Sequence, residues 1–419
     1  MLPEIRFHLE RTLVRVQRML GSLETRGWGD TMRRLVRSHE PAPHPRTGRH
    51  VALQRDGRLL LVVDSELPRP DRDSGSMRLA NLMQLLREDG YRIAFIADDG
   101  RLDIHYADSL RGAGVEVVDG SPTAWLRRHA AELHGAILCR HVVAGHWLSL
   151  VRGLAPGAHV VFDTVDLHYL RETRQARHNR SRSMTRRAKA TQASEVRLVS
   201  LADTTWVVSD DERLALAREA PGARVVVVSN AYGEVLEGRP YAERSGLLFV
   251  GGHRHPPNTD AVRWLLDDIF PRIKAHLPDV QLHLAGPDMP DDLRLLAEGS
   301  GGVVLHGHVP DLEALLQGCR VAVAPLRFGA GVKGKINLSM ARGQPVITTS
   351  CGAEGMHLRP GVDVLVADDP GAFADATAKL YRDPVSWQSI AENGRDSVRR
   401  HFSFDAARVA LRQTFTPAT

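Results

Sequence analysis

The chain has 419 residues, 43% of them hydrophobic and 25% charged, and a formal net charge of +5. This length exceeds what one hydrophobic core usually serves, so two or three domains are expected, and the composition excludes a mostly disordered chain. No run approaches the roughly 18–20 apolar residues of a membrane span. The scattered Cys139, Cys319 and Cys351 exclude a disulfide scaffold and a thiolate zinc site. With charge from Glu4 onward and no apolar signal core, a cytoplasmic location is expected.

Residues 1–40 read as a basic amphipathic helical extension. Ile5, Leu9, Leu13, Val16, Leu20 and Leu23 recur at helical spacing, and the first fifty residues hold ten arginines against five acids, which is the whole net charge. Residues 41–57 form a linker, because Pro41, Pro43 and Pro45 forbid regular structure. From residue 58 strands and helices alternate. Strands are expected at Leu59–Asp64, Arg92–Ala97, Val115–Val118, Ala136–Cys139, His159–Asp163, Thr204–Val208 and Val225–Ser229, with a helix at Gly75–Gly90. This order implies a doubly wound parallel sheet over 58–238.

Glycine, proline and charge break the pattern at Gly233–Ser245, as a hinge would. The order then restarts over 246–400. Strands are expected at Gly246–Val250, Val280–Ala285, Val303–His306, Val321–Ala324, Pro345–Thr349 and Val364–Val366, with a helix at Thr259–His276 and a last one within 402–416. The fold class is α/β, with two facing Rossmann-like domains and a deep cleft. Ligands of such sheets bind beyond the carboxyl ends of the strands.

The charge distribution narrows the partners. A second basic run, Arg171–Lys189, holds eight basic residues and one acid, Glu172. Neither basic patch interleaves aromatics for base stacking, which argues against nucleic acid. The patches are either solvated helix faces or a positive surface for anionic headgroups or a phosphorylated substrate. Only five of the 55 basic residues are lysines, yet Lys333 and Lys335 share one glycine-rich string, Gly329-Ala-Gly-Val-Lys-Gly-Lys335. That string follows an expected strand and precedes an expected helix, Ile336–Arg342, which makes it an anion site. It also matches G-x-G-x-x-G, with Glu354 twenty residues beyond Gly334 in the place of a ribose-binding acid. Such a fingerprint belongs in a first turn and this is a late one, so nucleotide phosphate fits better than nicotinamide chemistry.

Two loops of the first half carry polar groups. Pro68–Arg78 ends with Gly75 and Ser76 at a helix start, a second place for an anion or an ordinary capped helix. The string Asp163-Thr-Val-Asp-Leu-His168 closes a strand with two carboxylates and an imidazole, suited to acid/base or hydrogen-bonding work. The pairs His253/His255 and His306/His308 lie in loops without a local carboxylate or cysteine companion, so no metal site is expected.

Taken together these strings resemble the group 1 retaining glycosyltransferases with the GT-B fold, over roughly residues 58–416. The resemblance is carried by Pro68–Arg78, Asp163–Glu172, Ala202–Ser209, Phe249–Asn258, Ala324–Lys335 and Ser339–Thr348. It implies transfer of a sugar from a nucleotide diphosphate donor to a glycan or lipid-linked saccharide, with retention, in cell-surface polysaccharide biosynthesis. The donor is then held by Gly252, Asn258, Gly329, Gly331, Lys333, Lys335, Asn337 and Glu354. Gly75, Ser76 and Arg78 form an acceptor or diphosphate loop, and His168 and Asp166 are the catalytic candidates. No cofactor and no metal is expected, and the basic patches make an anionic membrane surface a further candidate partner. The chain departs from the family at two places. Ala330 and Leu338 stand in the register of the Glu-x7-Glu acids, and Gly251–Asn258 offers Arg254 without a lysine. Lys333, Lys335 and Glu354 are expected to compensate. A sugar-nucleotide epimerase of the same fold and a non-catalytic binding subunit of a polysaccharide assembly complex are the alternatives.

Overall fold

The structure, a computed structural model, describes residues 57–415. The expected extension 1–40, nearly all of the 41–57 linker and residue 416 lie outside the described residues.

Two parallel sheets organise the chain. The first comprises β1 (Leu59–Asp64), β2 (Arg92–Ala97), β3 (Glu116–Val117), β4 (Leu133–Cys139), β5 (His159–Asp163), β6 (Thr204–Val207) and β7 (Val225–Val227), in the order β3-β2-β1-β4-β5-β6-β7. The second comprises β8 (Leu247–Val250), β9 (Leu282–Ala285), β10 (Val303–Gly307), β11 (Val321–Ala324), β12 (Val346–Thr348) and β13 (Leu365–Val366), in the order β10-β9-β8-β11-β12-β13. The central β1 pairs in parallel with both β2 and β4, and all six of its residues are buried. A strand covered on both faces reads as an unbroken apolar run, which is why Leu59–Val63 was legible. β4 starts three residues earlier than expected because Leu133, beyond the polar His134, pairs with Leu59 and is buried.

The described residues form two compact units, one of 57–67 with 90–162 and one of 68–89 with 163–415. The second unit contains every residue of the candidate site below. Its helices include α1 (Ser74–Glu88), α2 (His168–His178), α3 (Arg182–Leu201), α4 (Asp210–Glu219), α5 (Pro256–Trp264), α6 (Gly334–Ala341) and α7 (Phe404–Phe415). The helix expected at Thr259–His276 is instead α5, a π turn at Leu265–Ile269 and a further helix at Phe270–His276. Pro271 is the cause, since it has no N–H to donate and its ring crowds the preceding turn, so the helix widens there. The core under β8, β9 and β11 gathers Phe249, Leu284, Val323, Phe270, Phe373 and Trp387. The buried Arg244, at the end of the 233–245 segment, donates to the carbonyls of Leu316, Arg239 and Arg342 and so ties that segment to the second sheet. The last helix, α7, packs against α1 and β7, and Trp206 Nε1 donates to Thr414 Oγ1 at 2.8 Å.

In the second sheet β8 lies between β9 and β11, so the strand order reverses there. The loops after β8 and β11 therefore emerge side by side, at the position where open α/β sheets bind ligands.

Candidate active site

The first component is the loop from β5 to α2. Asp163 is fully buried; its Oδ2 accepts from Arg78 Nη1 at 2.7 Å and its Oδ1 accepts from the Val165 N–H at 3.1 Å. Val165 sits at φ +63°, a left-handed conformation that costs a β-branched residue on the order of 1–2 kcal/mol. The turn persists because its N–H groups are held. Thr164 N–H donates to the Trp206 carbonyl at 3.0 Å, and Leu167 N–H to Glu212 Oε1 at 2.9 Å. His168 N–H and Tyr169 N–H donate to the two oxygens of Glu195, each at 3.0 Å. Glu195 thus caps α2 from the buried stripe of α3, a carboxylate at a helix N-terminus. His168 begins α2; its Nδ1 lies 3.0 Å from the Asp166 carbonyl and 3.5 Å from Asp166 Oδ1. The Asp166 carboxylate pairs with Arg171.

The second component is the loop from β11 to α6, and its polarity is opposite. Here cations hold carbonyl oxygens. Lys333 Nζ donates to Gly331 O at 2.7 Å and Glu354 O at 3.4 Å, and Arg174 Nη1 donates to Gly329 O at 2.7 Å. Lys335 Nζ donates to Asn258 Oδ1, and lies 4.4 Å from the centre of the Phe249 ring. Asn258 in turn donates to Gly252 O at 2.8 Å, which joins the loops after β8 and β11. Burial pulls Lys335 down to about 7 and also lowers Lys333, whose fall the neighbouring Cys351 and Glu354 oppose. Burial next to Lys335 takes His253 down to about 4, so that imidazole is neutral.

Gly331 makes the two components touch, and Gly334 brings α1 against the second. Gly331 is at φ +64°, and a side chain there would meet Val208 Cγ2 at 3.0 Å and Asp166 Cβ at 3.1 Å. A side chain at Gly334 would lie 2.4 Å from Ser74 Cβ, which puts the start of α6 against the start of α1. The start of α6, with Lys333 as its N-cap and Lys335 in its first turn, therefore packs against the start of α1. Further along α6, Asn337 is fully buried, and neither of its amide atoms has a hydrogen-bond partner among the described residues.

The remaining expected residues are placed differently. Ser76 gives its N–H and hydroxyl to Asp73, the N-cap of α1. Arg78 is buried, with Nε and Nη2 on the Val228 carbonyl and Nη1 on Asp163, so its donors are committed to the fold. Glu354 forms a bidentate pair with Arg174, at 2.6 and 2.7 Å. Arg254 is exposed and paired with Asp288. His308 does have a carboxylate neighbour, Asp71, at 3.0 Å, while His306 meets His283 across the strands β9 and β10.

Sequence reasoning missed Arg174, Glu195 and Glu212. Arg174 lies in the basic run expected to be either a solvated helix face or a positive surface; with Arg171 it turns inward, whereas Arg177, Arg180, Arg182, Arg186, Arg187 and Lys189 are exposed. Glu195 carried a signal, as an acid in phase with the buried Ala188, Thr191 and Leu198. Glu212 stands three residues after the N-cap Ser209, in a capping-box pattern.

Comparison with known proteins finds a family match within the second half. Residues 244–383 match the glycosyl transferases group 1 family. The matched segment spans β8 to β13, including the Gly329–Lys335 loop. A curated Klebsiella pneumoniae protein, described as "Uncharacterized 44.6 kDa protein in cps region", is 24% identical over 163 residues, which is 37% of this chain and 42% of that protein. Among solved structures, sucrose-phosphate synthase from Thermosynechococcus elongatus superposes with a TM-score of 0.66 at 16% identity, over 85% of this chain and 98% of that one. Anabaena HepE in complex with UDP and glucose gives a TM-score of 0.65 at 14% identity, over 85% and 99%. A glycosyltransferase from Rickettsia africae gives 0.63 at 10%, over 86% and 98%. The fold is that of the GT-B glycosyltransferases, with two Rossmann-like parallel sheets. Among the described residues no helix is long and apolar enough to cross a membrane.

Proposed function

We propose that the chain transfers a sugar from a nucleotide diphosphate donor to a saccharide or lipid-linked acceptor, with retention, in polysaccharide assembly. One observation carries the donor assignment. In the Gly329–Lys335 loop the cations hold the carbonyls, so positive charge and a helix N-terminus meet at a single site. Breaking an anomeric C–O bond builds negative charge on the departing diphosphate, and fixed cations in a site withdrawn from water stabilise it most. Lys333 and Lys335 are the groups for this task, and no metal is needed for it. Gly252 and Asn258 hold Lys335 in place, and Glu354 binds ribose once Arg174 releases it.

Retention follows if the acceptor attacks from the face that the diphosphate leaves, with the diphosphate taking the acceptor proton. Of the carboxylates beside the lysine loop, Asp166 and Glu354 are held in ion pairs and Glu212 by two backbone N–H groups, which favours this route over a covalent carboxylate intermediate. His168 then orients a donor or acceptor hydroxyl. The HepE complexes with UDP, glucose and UDP-glucose support a nucleotide-sugar donor, and the cps-region relative supports the polysaccharide role. The exposed arginines after Arg174 would give a peripheral hold on an anionic membrane, which sedimentation with anionic and neutral liposomes tests.

Incubation with a panel of nucleotide sugars tests the transferase reading. Transfer or slow hydrolysis supports it; epimer formation would replace it with the epimerase, and the absence of both turnover and nucleotide binding would refute it.

A further inference from the structure

Glu212 is a buried acid that the transfer scheme leaves unused. It is 2% exposed, lies in the first turn of α4, and among the described residues has no cation in hydrogen-bond contact. In a capping box such a glutamate reaches the N–H of its own N-cap residue. Here it does something else. Its Oε2 accepts from the Val208 N–H at 3.1 Å, and its Oε1 crosses to the Leu167 N–H at 2.9 Å. Leu167 lies between Asp166 and His168. The same Oε1 is 3.5 Å from where a side chain on Gly331 would begin, so the carboxylate lies under the contact between the two loops.

We propose that Glu212 is a positioning residue for transfer, fixing the Asp166–His168 segment against the Gly331 turn through the Leu167 backbone and touching no substrate itself. This rests on the transferase reading for its effect on turnover, but not for its effect on the loop. The hold needs the ionised form. Two N–H groups point at the two carboxylate oxygens, and a proton on either oxygen would face a donor and break one bond. Burial raises Glu212 to about 7; the nearby Asp166 adds to the rise, while the Leu167 and Val208 N–H groups and Lys333 oppose it. Asp166 from the loop, Lys333 from the glycine string and the Tyr169 hydroxyl of α2 are the titratable groups that face it. The loop should therefore slacken as pH falls through neutrality.

The test compares wild type, Glu212→Gln and Glu212→Asp in two measurements. The first is kcat and KM for a nucleotide sugar between about pH 6 and about pH 9. Wild-type kcat should fall on the acid side with a midpoint near 7. Glu212→Gln, whose amide turns a donor toward one N–H, should lose roughly ten- to a hundred-fold in kcat and lose that acid limb, with donor KM within about threefold. Glu212→Asp should keep the limb and recover part of kcat. The second is hydrogen exchange of the peptide spanning 164–170, which needs no turnover. Exchange there should quicken about tenfold or more in Glu212→Gln, and in wild type at acid pH after correction for intrinsic rates, while β1–β4 peptides stay unchanged. A wild type inert toward every nucleotide sugar would refute the transferase reading, and exchange would still decide the role of Glu212. Wild-type kcat with an intact acid limb in Glu212→Gln, or exchange that rises evenly over the molecule in both variants, would overturn the proposal.

Discussion

The loops that follow β5 and β11 are both strand-to-helix turns, yet they are wired with opposite polarity. After β5, three buried carboxylates, Asp163, Glu195 and Glu212, collect backbone N–H groups. After β11, Lys333 and Arg174 collect backbone carbonyls. The first loop has its donors consumed and carries negative charge, so it repels an anion. The second has its acceptors consumed and carries positive charge, so it attracts one. A shared topology thus leaves the phosphate site to be decided by which backbone groups the side chains have claimed.

The sharpest way to break this contrast is to remove the cations. Lys333→Ala with Lys335→Ala should weaken nucleoside diphosphate binding by about 1.5–3 kcal/mol, roughly ten- to a hundred-fold, by calorimetric titration. On the other loop, His168→Ala should lower kcat about tenfold with donor affinity within about threefold, since the residue works on hydroxyls and not on phosphate. Equal losses in both parameters would make His168 a structural cap. Gly331→Ala tests the contact between the loops. Its φ of +64° and the tight approach to Val208 and Asp166 predict a stability loss of about 1–2 kcal/mol and a lower melting temperature. The smallest effect belongs to Arg174→Ala. Its pair with Glu354 is about a third exposed, so the stability change should stay within about 1 kcal/mol. If Glu354 is freed for ribose, nucleoside affinity should rise slightly instead of falling.

Much of the scaffold was legible because parallel strands buried on both faces are written as apolar runs. Leu59–Val63, Val321–Ala324 and the helix after Gly334 needed no tertiary information. Lys333 and Lys335 stood out because lysine is rare here and glycine surrounds them. Arg78 shows the limit of such reading. Its place in a polar loop–helix start is the same whether it meets a ligand or Asp163, a partner 85 positions away. For Glu195 and Glu212 spacing marks the local place, the buried stripe of α3 and a capping-box position, but not the distant backbone N–H groups that they serve. Arg174 was masked by its neighbours, because one face of α2 turns inward and the rest of the basic run does not.

The central claim is that the Gly329–Lys335 loop receives the donor diphosphate through the buried Lys333 and the half-buried Lys335. Lys335 falls to about 7 in the fold against an ordinary 10.5, through burial. Between those values the unfolded chain holds the extra proton, so the free protein should grow more stable as pH rises from about 7 toward about 10. A bound diphosphate reverses the preference, because it favours the charged amine. Titration of UDP or GDP at about pH 8 in two buffers of different ionisation enthalpy measures this directly. Wild type should take up close to one proton per nucleotide bound, an uptake that fades below about pH 6 and is absent in Lys335→Met. Buffer-independent heats at about pH 8, together with unchanged affinity in Lys335→Met, would contradict the claim.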